Sequence, residues 1–175
     1  MNKLISGWLL LAMASSAHAF DEKDASALVK KYSTTIACQL PSVLEDSGDQ
    51  EADSFKNEYK AVKVNPGDLE SGGLGAMFLV HWSGDIGCYG GNGTVTHNFT
   101  VVEHRGFITT SPVVITEYAP IALDIEKITH FQAKKGGLVI VEGVDYGEND
   151  QQYQPTKRVA YTLQFKVDKF VVLPR

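Results

Sequence analysis

The chain has 175 residues, 43% hydrophobic and 21% charged, with two cysteines and a formal net charge of −5. That apolar content excludes a disordered chain, and the cysteine count excludes both a disulfide-dense mini-scaffold and zinc-finger chemistry. A negative balance with no basic stripe along the sequence argues against a protein that tracks nucleic-acid phosphates, so no nucleic-acid partner is expected.

Residues 1–19 read as a secretory signal peptide: Lys3 precedes an apolar run from Leu4 to Met13, and small residues ending in Ala17-His18-Ala19 supply the cleavage site. The run is too short to span a bilayer stably, and no later stretch is long and apolar enough to do so. No cysteine follows the cleavage site, which removes the acceptor of a bacterial lipid anchor. The expectation is a soluble protein in the periplasm or secreted, with residues 20–175 as a single mature globular domain. Loss of Lys3 with the leader shifts the formal charge from −5 to −6.

From Asp21 to about Cys38, the apolar residues Ala25, Leu28, Val29, Tyr32 and Ile36 recur at helical spacing behind an acidic first turn, and Pro41 stops the pattern. The acidic stretch Glu45–Asp53 has no apolar period and reads as a surface loop; it lacks the ligand spacing of a calcium loop. Beyond it the pattern turns to short β-branched and aromatic runs. Tyr59–Val64, Ala76–Trp82, Thr94–Glu103, Val113–Tyr118, Ile128–Ala133, Leu138–Val144, Arg158–Val167 and Phe170–Leu173 are the predicted strands. Most connections are too short for a crossover helix, so the pairing should be mainly antiparallel. The predicted fold is α+β, an N-terminal amphipathic helix on one curved sheet of seven or eight strands. A β-sandwich or partly closed barrel with an appended helix is the alternative.

Export also decides the chemistry of Cys38 and Cys88. In an oxidising compartment a single pair has one intramolecular connectivity, and a Cys38–Cys88 disulfide is predicted. Closing a loop of roughly 50 residues stabilises the fold by up to about 4 kcal/mol in the chain-entropy treatment. The same crosslink argues against a reactive thiol with His81 or His97 as its base and Asp85 as its orienting group.

The densest unusual segment is His81–Thr94, where five glycines surround Trp82, Asp85, Cys88 and Tyr89. It lacks the lysine and the strand-to-helix context of a phosphate-binding loop and reads as a disulfide-pinned hairpin loop. Trp82, Asp85, Tyr89 and Asn92 are the candidate partner-binding residues, because aromatic anchors on a fixed loop lose little entropy on binding. The acidic loop Glu45–Asp53 would steer a basic partner toward them. His81, His97, His104 and His130 show no metal-ligand spacing, though His81 and His97 would meet if their strands were neighbours. Asp145, Glu148 and Asp150 form a carboxylate cluster that a polar connector explains as well as catalysis does, and no Gly-x-Ser-x-Gly elbow occurs. No metal or cofactor is expected. The leading expectation is a non-enzymatic binding protein, an inhibitor or immunity-type protein acting on an envelope enzyme. A small-molecule or lipid carrier and a small hydrolase are the alternatives.

Overall fold

A computed structural model describes residues 19–40, 59–64, 75–89, 96–104, 111–151, 154–166 and 169–173. The body of the expected leader, the acidic stretch Glu45–Asp53 and Asn92 lie outside these residues. Among the described residues there are one helix and eight strands.

Helix α1 spans Glu22–Ile36. Its start is set by a reciprocal cap: Asp21 Oδ1 accepts from the backbone amides of Lys23 at 2.8 Å and Asp24 at 3.1 Å, and Asp24 Oδ2 accepts from the amide of Asp21 at 3.0 Å. Ala25, Val29 and Ser33, four apart, form its fully buried stripe. The helix ends before Pro41 is reached. Ala37 turns extended, and the Cys38 amide and Gln39 carbonyl pair instead with the Asp85 backbone, both bonds at 2.8 Å.

The first sheet contains β1 (Lys60–Val64), β2 (Ala76–Gly84), β3 (Thr96–His104) and β4 (Val113–Ile115), in that order and all antiparallel. The second contains β5 (Lys127–Lys134), β6 (Leu138–Asp145), β7 (Lys157–Lys166) and β8 (Lys169–Leu173), again in sequence order and antiparallel. Gly136 and Gly137, at φ 76° and 73°, make the tight β5–β6 turn that a side chain would strain.

The coarse expectation of a β-rich α+β fold with antiparallel pairing holds; the single curved sheet does not. Two four-stranded sheets replace it, and they do not close into a barrel. The physical reason lies in residues 116–126. This link is too long for a hairpin, and its Tyr118, Ile121, Leu123 and Ile125 pack into the core between the sheets as the chain crosses from one to the other. Strand β2 therefore has two buried faces. Phe78, Val80 and Trp82 pack under α1 with Ala25, Val29 and Val102. Met77 and Leu79 face the second sheet with Val101, Phe131, Val139, Val141 and Leu163. The unbroken apolar run of this strand is the sequence trace of burial on both sides, since a strand with one wet face alternates.

Candidate functional site

The disulfide Cys38–Cys88 is formed, with a Cα–Cα distance of 5.2 Å across 50 residues of sequence. Beside it, the Gln39↔Asp85 bridge ties the end of β2 to the segment leaving α1. Residues 85–89 are thus anchored twice. Cys88 sits at φ 56°, a left-handed backbone uncommon for a residue with a side chain and held here by those two attachments.

The four residues predicted for partner contact part company. Trp82 is not on a loop: β2 runs on to Gly84 and carries its ring, 0% exposed, under the helix. Its Nε1 donates to Thr100 Oγ1 at 2.9 Å, and it stacks on Tyr59, whose hydroxyl meets Ser33 Oγ at 2.6 Å. These contacts join β1, β2, β3 and α1 and make Trp82 a core residue, a correction to its expected place at a binding surface. Asp85 is likewise 2% exposed, and its backbone makes the bridge. Gly84 belongs to β2 and serves close packing against Trp82 and Leu40 rather than a loop.

Tyr89 is 85% exposed, and Ile86, which sequence reasoning passed over, is 45% exposed beside it. The signal for Ile86 was present: it is a lone large aliphatic residue in a glycine-rich run with no periodicity to bury it. Gly87 positions the tyrosine. The Tyr89 ring lies directly over the Gly87 backbone, where any Cβ would collide with it. A large aromatic ring is thus exposed on a crosslinked turn, over a residue whose missing side chain leaves room for it.

A second cluster joins His81 and His97. The two strands are neighbours, and His81 Nε2 lies 2.9 Å from His97 Nδ1. His97 Nε2 is 3.0 Å from the Glu126 carbonyl, which can only accept, so this nitrogen carries the proton. His97 Nδ1 is then the acceptor for the proton on His81 Nε2, which fixes both tautomers. His81 also packs against the rings of Phe99 and Phe131 in the core between the sheets. Burial, with smaller repulsions from His97 and Lys60, lowers the His81 pKa from 6.5 to about 3. Burial lowers that of His97 too, partly opposed by its bond to Glu126. Ser83 Oγ lies 3.5 Å from His97 Nδ1, a lone pair already engaged at 2.9 Å by His81, so the pair does not form the serine–base hydrogen bond of an activated nucleophile.

Within the carboxylate cluster, Asp150 and Asp145 have partners in and beside the β6–β7 connection. Asp150 accepts from the amides of Gly147 and Thr156, both at 2.7 Å, and from the Thr156 hydroxyl at 2.6 Å, which closes the β6–β7 connection on itself. Those bonds hold its carboxyl below the ordinary range. Asp145 sits 3.8 Å from Lys157 Nζ. Among the described residues, no three metal-ligating side chains converge, and no helix is long and apolar enough to cross a membrane. Compared with known protein families, curated proteins and solved structures, the chain matches none.

Proposed function

We propose that this is an exported, non-enzymatic binding protein of the inhibitor or immunity type, which contacts a protein partner through the turn at residues 86–89. The disulfide is compatible with a location outside the cytoplasm, where such bonds persist. The observation that carries the reading is the exposure of Tyr89, 85%, with Ile86 at 45%, on a turn fixed by a disulfide and a β-bridge. An exposed aromatic and an aliphatic neighbour gain burial when a partner covers them, and a turn already held in place loses little conformational freedom on binding. Trp82 and Asp85 act in this reading as the frame of the turn. Burial of Tyr89 by a protein is favoured over catalysis nearby, since the closest histidine pair is spent on internal hydrogen bonds.

The test is affinity capture from an envelope extract of the source organism under oxidising conditions. The wild-type chain is expected to retain a stoichiometric protein partner, and Tyr89→Ala, folded to the same thermal midpoint, is expected to lose it. Equal capture by both proteins removes the turn from the interface.

A further inference from the structure

Charge is divided between the two halves of the fold. Up to Glu126 the chain carries eight basic and sixteen acidic residues, whereas from Lys127 onward it carries eight basic and five acidic. The second sheet is therefore positive in a negative protein. Pairing concentrates that charge further. Lys134 and Leu138 are partners across the β5–β6 turn, Leu138 pairs with Gln164, and Lys166 pairs with Lys169 across the β7–β8 turn. Both turns lie at the same end of the sheet, so Lys134, Lys135, Lys166 and Lys169 share that end, and all four are exposed. Asp168, between Lys166 and Lys169 in sequence, lies outside the described residues, and Glu142 is exposed two residues beyond Ile140 on β6; four lysines against these two acids leave the group net positive.

The alternation of the strands sets the facing of these groups. Phe131, Val139, Val141 and Leu163 point into the core, so Lys134, Leu138, Gln164, Lys166 and Lys169 belong to the opposite, outer face. Beside the lysines on this face run two cross-strand rows, Leu138–Gln164–Val171 and Ile140–Thr162–Leu173. Leu138, Ile140, Val171 and Leu173 are half-buried and belong to neither packed cluster of the described residues.

We propose that this outer face rests on an anionic lipid surface, with the four lysines over headgroup phosphates and the adjoining aliphatic rows against the interfacial layer. Charge complementarity selects a negative partner, and the apolar rows beside the lysines select an amphiphilic surface over a soluble polyanion, which offers nothing to bury them. The site lies on a different sheet from the Tyr89 turn and does not depend on the protein-binding reading.

Co-sedimentation of the disulfide-bonded protein with vesicles tests this. Binding is expected to vesicles of phosphatidylcholine mixed with phosphatidylglycerol and not to phosphatidylcholine alone. Lys166→Gln with Lys169→Gln, at exposed positions that leave the fold intact, is expected to weaken binding roughly thirtyfold. Tyr89→Ala is expected to bind as wild type. Leu138→Gln keeps the charge and is expected to lose the fraction of binding that survives about 1 M salt, where screening reaches about 3 Å. Equal binding to both vesicle types, undiminished binding by the double lysine variant, or capture of polyglutamate in place of vesicles would overturn the proposal.

Discussion

His81→Gln isolates the cost of keeping an imidazole neutral between the two sheets. In the folded protein burial holds the His81 pKa at about 3, against 6.5 in the unfolded chain. Above pH 6.5 both states are neutral, and the full stability is present. As the pH falls below 6.5 the unfolded chain takes up a proton that the folded one refuses, so stability drops by about 1.4 kcal/mol per pH unit until the folded pKa is reached. Between pH 6.5 and 5, before most carboxylates titrate, His81 alone removes about 2 kcal/mol, a substantial share of a domain stability of about 5–15 kcal/mol. His97 acts with the same sign, because its pKa is also lowered by burial. Glutamine retains an N–H that can reach His97 Nδ1 and does not titrate. Urea unfolding of both proteins across this range should show the variant losing stability with a shallower slope, less by about one proton. Parallel curves for wild type and variant would refute the buried, neutral assignment of His81.

Two further expectations follow from the core and the crosslink. Trp82→Phe removes the donor to Thr100 Oγ1 and part of a fully buried ring, which should cost about 2–3 kcal/mol and lower the melting midpoint by roughly 4–12 °C. Partner capture per folded molecule should nevertheless persist, and its loss would return Trp82 to the interface. Replacing Cys38 and Cys88 together by serine frees a segment of 50 residues and should lower stability by up to about 4 kcal/mol in denaturant titration. An unchanged midpoint would show that the Gln39↔Asp85 bridge alone holds the turn.

Local signals in the sequence determined what depends on near neighbours along the chain. The helix was legible because Ala25, Leu28, Val29, Tyr32 and Ile36 recur at helical spacing behind the acids Asp21, Glu22 and Asp24, whereas the reciprocal Asp21–Asp24 cap and the burial of Ser33 came from the structure. The strands were legible from β-branched runs and the glycine turn at Gly136-Gly137, and the disulfide from the presence of one cysteine pair. Tertiary structure alone decided which strands share a sheet, because the crossing at residues 116–126 is governed by burial of Ile121, Leu123 and Ile125 in a core that does not exist until both sheets form. It also decided that Trp82 is covered while Tyr89 is not. Both are aromatics in one glycine-rich run, and what separates them is whether the helix lies above them. No basic stripe runs along the sequence, yet two antiparallel turns bring Lys134 and Lys135 to the same end of a sheet as Lys166 and Lys169. Charge and side-chain partnership across roughly thirty residues of chain are set by strand register, a non-local quantity that no window of the sequence contains.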